Sequence, residues 1–312
     1  MAKIANKAAI CDKLIELAGI DRDILVLTSD SRGSASMSKF ASEIPEQFVE
    51  VGIAEQNLVG IAAGLAASGK KPYIASYAAF LSMRSIEQIK VDVAYSNTNV
   101  KIIGISGGLS YGPLGMSHHA LQDIAVMRAI PNIKVIMPAD RHESKKMIET
   151  LVQIDDPVYI RVGRNPVEDV YDGNCNFQIG KAVTIMDGSD ITIIACGRFV
   201  RTAIDSAVEL KKQGISCRVI NMHTIKPLDT QVIIKAAVET EHIITLEEHS
   251  VNGGLGSAVA EVVVQNQPVP MKIIAIPDEP AISGKPEEVY EYYGLSASAV
   301  VKETKKLLKT SG

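Results

Sequence analysis

The stretch Val51-Gly52-Ile53-Ala54-Glu55-Gln56-Asn57-Leu58-Val59-Gly60-Ile61-Ala62-Ala63-Gly64-Leu65-Ala66-Ala67-Ser68-Gly69 reads as a helix over residues 54–68, built almost wholly from small and apolar residues. A helix that is apolar nearly all round has to be covered by other elements. On its N-terminal side, Ile24-Leu25-Val26-Leu27-Thr28 has the short apolar character of a buried strand, and Pro72–Ser76 repeats it on the other side. Strand, helix and strand in that order make a unit of parallel sheet with helices on its faces. One carboxylate, Glu55, stands at the mouth of the helix, where free backbone N–H groups point outward.

The alternation continues in both directions. Helical spacing over 5–18, 82–95, 121–130 and 140–153 frames strands at Val100–Ile105, Ile133–Met137 and Val158–Val162. Turn formers crowd Gly163–Asn174 and mark a linker. Beyond it, strands at Ile191–Ala195, Cys217–Asn221, Ile243–Leu246 and Lys272–Ile276 alternate with helices over 198–212, 229–238, 255–265 and 296–308. The expectation is an α/β protein of two doubly wound domains: 1–172 on a parallel sheet, and a smaller domain over 173–312.

Composition narrows the function. The 312 residues are long enough for two cores, and 46% of them are hydrophobic. A net charge of −4 and a pI near 5.9 argue against a general nucleic-acid binder. No apolar run reaches the roughly 18 residues of a membrane span, and Met1-Ala2-Lys3-Ile4-Ala5-Asn6-Lys7 lacks the apolar core of a signal peptide. Cys11, Cys175, Cys196 and Cys217 show neither a zinc spacing nor a disulfide framework, so a cytoplasmic setting is expected.

In open parallel sheets, ligands sit beyond the carboxyl ends of the strands. The loops to search are therefore Ser29–Phe40, Ser76–Arg84, Ser106–Leu121 and Arg161–Asn165. Glu55 has two readings: a carboxylate facing the helix dipole, or a catalytic acid among apolar neighbours Gly52, Ile53 and Ala54. The loop from Ser106 to His119 holds four glycines after Ser106 and ends in two histidines. Consecutive residues face different ways, so no metal held by both is expected, though one histidine can touch a ligand. Phe80 reads as core or as a ligand contact. Arg161 and Arg164 flank a strand end and suit either phosphate or a solvated ion pair. Asn252-Gly253-Gly254-Leu255-Gly256 is either a structural turn or a phosphate cradle, and neither G-x-G-x-x-G after a first strand nor the P-loop pattern occurs.

Taken in order, Phe48-Val49-Glu50-Val51-Gly52-Ile53-Ala54-Glu55-Gln56-Asn57, Ser76-Tyr77-Ala78-Ala79-Phe80 and Gly112-x-x-Gly115-x-Ser117-His118-His119 resemble the pyrimidine-binding half of transketolase and 1-deoxyxylulose-5-phosphate synthase. The resemblance spans essentially the whole chain. It implies a thiamine diphosphate cofactor whose aminopyrimidine meets Glu55, stacks on Phe80 and packs near Tyr77 and Ile53, with Asp30 near the thiazolium. It also implies that His118 contacts the reacting end of the sugar donor, that His119 stands beside it, and that Ser34 and Arg164, helped by Arg161, hold a substrate phosphate. The Gly-Asp-Gly motif by which the family binds diphosphate and metal is absent from this sequence. The expected partner is therefore a separate N-terminal transketolase subunit holding the diphosphate and Mg (or Ca). Self-association through the pyrimidine-binding domain gives an expected heterotetramer.

Where the family carries an Asp that reads a donor hydroxyl, this chain has Leu114, and His119 replaces a Gln. Leucine accepts no hydrogen bond, which opens the expectation of an unusual donor such as apulose 4-phosphate or a sulfonated sugar. The expected reaction is transfer of a two-carbon ketol unit from a ketose phosphate to an aldose. The alternatives are the beta subunit of a 2-oxoacid dehydrogenase decarboxylase and a non-catalytic assembly subunit.

Overall fold

The computed structural model describes residues 3–310. The apolar runs become twelve strands among the described residues: β1 Ile24–Thr28, β2 Phe48–Glu50, β3 Lys71–Tyr77, β4 Lys101–Ile105, β5 Lys134–Ile136, β6 Val158–Arg161, β7 Val183–Met186, β8 Ile191–Ala195, β9 Cys217–Asn221, β10 Thr224–Lys226, β11 Ile243–Ser250 and β12 Met271–Ile276. Seven of them form one sheet, in the order β10-β5-β6-β4-β3-β1-β2, and five form a second, β12-β11-β8-β9-β7. Parallel register pairs Thr28 with Ala75, Tyr77 with Ile105 and Gly104 with Arg161. The carboxyl ends of β1, β3, β4 and β6 therefore share one rim, and the loops leaving that rim carry the chemistry.

Both sheets are mixed, which corrects the expectation of a purely parallel first sheet. At one edge of each, a strand runs antiparallel: β10 against β5, and β7 against β9. The first of these is three residues long and comes from the second half of the chain, too short to leave an alternating pattern. The helix expected over 82–95 divides into Ala78–Arg84, Ile86–Gln88 and a π-type segment Ile89–Tyr95. Ser85 breaks it with a non-helical backbone, and the end is wide because the Ser96 and Thr98 N–H groups bond five residues back, to Val91 and Val93. The short helices Ser38–Glu43 and Pro286–Tyr292 have too few turns to show periodicity in sequence.

The helix Glu55–Ala67 buries Leu58, Val59, Ala62 and Ala63, as its composition requires. They join a core in which Met127, Val135 and Met137 meet Ile194, Cys196, Ile220 and Met222, so one apolar cluster serves both sheets. Burying a side chain of that size is worth about 1.5–3 kcal/mol. No helix among the described residues is long and apolar enough to cross a membrane.

Polar ties reinforce the junction. Asp140 caps the helix Arg141–Leu151 by accepting from His142 N and Glu143 N, and its other oxygen takes Val170 N and Tyr171 N. Glu143 is fully enclosed and accepts from Ala139 N at 2.6 Å and from Asn221 Nδ2 of β9 at 2.8 Å. Burial outweighs these donors and pushes its carboxyl from 4.5 up to about 7. The folded chain then holds a proton that the unfolded chain releases at about 4.5, so this contribution is whole below that pH and is lost as pH rises through about 7. Melting curves of wild type and Glu143→Gln across this window are expected to show the substitution costing more at pH 5 than at pH 8. A difference in Tm that does not vary with pH would refute the assignment.

Candidate functional site

β3 ends at Tyr77 and the helix Ala78–Arg84 starts at once, so Phe80 and Arg84, four residues apart, share a face beside Tyr77. The Tyr77 and Phe80 rings lie 5.8 Å apart at 68°. The glycine-rich loop after β4 adds Tyr111, stacked on Tyr77 at 5.7 Å and 16°, and His118, edge-on to Phe80 at 5.0 Å and to Tyr111 at 5.3 Å. Four rings thus make one wall. His118 Nδ1 lies 3.0 Å from the Ser117 hydroxyl. Burial first, and the nearby Arg84 charge second, lower its pKa below the ordinary 6.5, so the imidazole is neutral at neutral pH.

Glu55 sits at the edge of this wall, only 5% exposed, in the first turn of its helix. The expectation of a carboxylate among purely apolar neighbours needs one correction. Arg84 Nη1 donates to its Oε2 at 3.2 Å while the same guanidinium lies 4.2 Å over the Phe80 ring. The turn leading to Glu55 is shaped by Glu50, which accepts from Thr28 Oγ1, Asp30 N and Gly52 N. Burial opposes charge on Glu50, but these donors prevail and lower its pKa. Asp30 is exposed at the end of β1 with a left-handed φ of 50°, fixed by that bond from its own N–H. Ile53 is 75% exposed next to Glu55's turn, an apolar side chain facing outward.

The opposite end of the wall is cationic. The Arg164 guanidinium lies 4.1 Å over Tyr111. Ser34 Oγ and Tyr77 Oη are 2.6 Å apart, and Lys7 Nζ donates to Ser34 O at 2.6 Å. Desolvation, then the Arg164 charge, lowers the Lys7 pKa. Two cations that raise each other's cost in a half-buried site favour an anion between them. Lys7 was not legible in the sequence, because a lysine at the start of the first helix looks like any solvated lysine. Tyr111 and Arg84 were hidden for the same reason.

Two expected substrate contacts are corrected. Arg161 is 2% exposed. It pairs with Asp123 at 3.1 Å and donates to Ala120 O and Glu248 O, so its fork faces the interior and cannot grip a phosphate. His119 is buried under the loop, with Nε2 3.3 Å from Gly112 O, and points away from the wall that His118 joins. The turn Asn252–Gly256 is structural: Glu247 accepts from Leu255 N and Gly256 N and so supplies the negative charge at that helix start.

The second half of the chain seats the loop. Glu248 Oε1 accepts from Leu109 N at 2.6 Å and from the Tyr290 hydroxyl at 2.7 Å. A Cβ on Gly107 would meet Arg161 Nε at 2.5 Å, and one on Gly112 would strike Gly284 O.

A flat nitrogen heterocycle fits this site. The guanidinium of Arg84, itself flat and N–H-bearing, already stacks on Phe80 and donates to Glu55, the pair of contacts an aminopyrimidine needs. Among the described residues, no group of three or more His, Cys, Asp or Glu is placed to hold a metal.

Comparison with known proteins gives the following. Residues 2–168 match the transketolase pyrimidine binding domain and residues 180–300 the transketolase C-terminal domain. One of the two subunits of the apulose-4-phosphate transketolase of Phocaeicola vulgatus is 48% identical over 307 residues, covering 98% of each chain. A 6-deoxy-6-sulfo-D-fructose transketolase subunit from a Clostridium species is 38% identical, covering 93% of this chain and 90% of that one. A solved split-gene transketolase, described as an inactive beta4 tetramer, superposes with a TM-score of 0.92 at 38% identity, covering 98% and 99% of the two chains.

Gly115 tests the seating of the loop. Its φ of 69° and ψ of −161° suit glycine alone, and a Cβ there would lie 2.5 Å from Ser283 Oγ. Gly115→Ala is expected to cost about 1–3 kcal/mol in denaturant unfolding. A Ser283→Gly background should recover only the steric part. A Gly115→Ala protein as stable as wild type would show that the loop is not held this way.

Proposed function

The chain belongs to the transketolase family, and on that footing we propose that it is the C-terminal, pyrimidine-side subunit of a two-chain transketolase that moves a two-carbon ketol unit from a ketose phosphate to an aldose. The observation that carries this reading is the two-ended wall. A buried carboxyl beside an aromatic face lies at one end, and Lys7 with Arg164 lies at the other. We divide the chain after residue 172 into a pyrimidine-binding domain and a C-terminal domain. The missing Gly-Asp-Gly assigns the diphosphate and its Mg or Ca to the N-terminal subunit.

Thiamine diphosphate, when bound, supplies the carbon nucleophile for ketol transfer. This chain's residues do the rest. Glu55 holds a proton at the pyrimidine ring nitrogen, and Phe80 with Tyr77 fixes the plane of that ring. Neutral His118 hydrogen-bonds the sugar at its reacting end. Lys7, Arg164 and Ser34 hold the phosphate, a charge-assisted clamp that leaves the carbons between to the ring wall. Ile53 and Asp30 flank the cofactor from the turns that Glu50 organises.

Leu114, 45% exposed on the loop, leaves one donor hydroxyl unread. The relatives named for apulose 4-phosphate and for a sulfonated fructose support a branched or sulfonated ketose as donor. Self-association through the pyrimidine-binding half is supported by the tetramer described for the solved relative, and with two partner chains it gives a heterotetramer. The four cysteines are all unpaired, in keeping with a cytoplasmic protein. A 2-oxoacid dehydrogenase beta subunit is not favoured, since the C-terminal match is to transketolase. A mere assembly subunit has no need of the two-ended wall.

The test is reconstitution with the N-terminal subunit, followed by a screen of ketose phosphates. The complex is expected to transfer ketol units with ping-pong kinetics, and Glu55→Gln to lower kcat by at least about 10²-fold. Lys7→Ala is expected to raise KM for phosphorylated sugars about tenfold, with kcat changing far less. Full activity in the Glu55→Gln complex, or unaided turnover by the lone chain, would sink the reading.

A further inference from the structure

Every face of the Tyr111 ring that meets the wall is engaged. Tyr77 stacks on it at 5.7 Å and 16°, the Arg164 guanidinium lies 4.1 Å from its centroid, and His118 meets it at 5.3 Å and 85°. A guanidinium over a phenol ring is attracted by the ring's negative face and lies flat against it. No carboxylate pairs with the Arg164 side chain among the described residues, so this ring is what seats it. The backbone is held close by: Arg164 N donates to Ser110 Oγ, and Ser110 Oγ donates to Gly107 O. The Tyr111 hydroxyl makes no hydrogen bond among the described residues, so the ring and not the hydroxyl carries these contacts.

We propose that Tyr111 is a positioning residue whose ring sets how far the Arg164 guanidinium stands from His118, and thereby the length of phosphorylated ketose that the site accepts. The inference rests on the reading of Arg164 as a phosphate grip and of His118 as the group at the reacting end. One side chain touching both ends of a substrate site couples them: moving Arg164 by a ring's thickness misplaces the sugar at His118, where small displacements are costly. Tyr111 lies on the same loop as Leu114, so the residue that measures the sugar and the one that leaves a hydroxyl unread are three positions apart.

Three variants separate the possibilities. Tyr111→Leu keeps bulk and removes the π face, Tyr111→Ala removes both, and Tyr111→Phe keeps the ring. Two quantities are measured: the affinity of the full chain for inorganic phosphate, by ³¹P line broadening, and kcat and KM of the two-chain complex for a five-carbon and a seven-carbon ketose phosphate. Leu and Ala are each expected to weaken phosphate binding about tenfold and to change the ratio of kcat/KM between the two donors. Phe is expected to restore most of what Leu and Ala lose. Unchanged phosphate affinity together with an equal fall for both donors would overturn the proposal and leave Tyr111 a purely structural residue. An unsubstituted complex that transfers nothing from any phosphorylated ketose would instead overturn the functional reading, and the phosphate affinities would then decide the Tyr111–Arg164 link alone.

Discussion

The site depends on one buried arginine. Arg161 closes β6 with its guanidinium enclosed between Asp123, Ala120 O and Glu248 O. An unpaired guanidinium there would be prohibitive, and a pair broken on one side costs about 3–5 kcal/mol. The contacts come from both halves of the chain, so the ion fixes the second sheet's β11 against the loop after β4. Gly107 and Gly108 pass so close above Arg161 and Glu248 that a Cβ on either would collide. What the loop then presents, Tyr111 and His118, is set by that seat and not by the loop's own preferences.

This explains a division of labour that differs from the one implied by sequence. The second half of the chain lines no part of the aromatic wall, yet it holds the loop that does. Glu248 binds Leu109 N, Tyr290 buttresses Glu248, and Arg198 lies 4.5 Å over the Tyr290 ring. Burial raises the pKa of Glu248, with Arg161 and Arg198 pulling the other way. A carboxyl so enclosed is tolerable because donors and cations surround it, which makes the junction specific as well as stable.

Much of the architecture was legible because buried parallel strands are continuous apolar runs, and β1, β3, β4, β6, β8 and β9 are such runs. The antiparallel edges β7 and β10 were not, since half-exposed or three-residue strands leave no period to read. In the site, Glu55, Phe80 and His118 could be picked out because the order of motifs carries them. Arg161 and Arg164 looked alike three positions apart, and only burial separates the structural ion from the available one. His118 and His119 are the same case: adjacency in sequence sends one to the wall and the other beneath the loop. Lys7 belongs to the site by tertiary proximity alone, 157 residues from Arg164 in the chain.

The electrostatics of the wall bear on what it selects. The chain is acidic overall, at −4, yet Lys7, Arg84 and Arg164 are gathered here without a matching set of acids. Local charge of this kind draws an anionic sugar and orients it before any hydroxyl is read. Between the two ends stand rings and Leu114, surfaces that accept carbon without demanding a hydrogen bond. A site that loses a hydrogen-bonding group at one position stops rejecting analogues that lack the hydroxyl there, because no buried polar atom is left unpaired by them. Selection then falls on charge and span. Those are properties of Lys7, Arg164 and the ring that holds Arg164 in place, and they are indifferent to whether the carbons between are straight or branched.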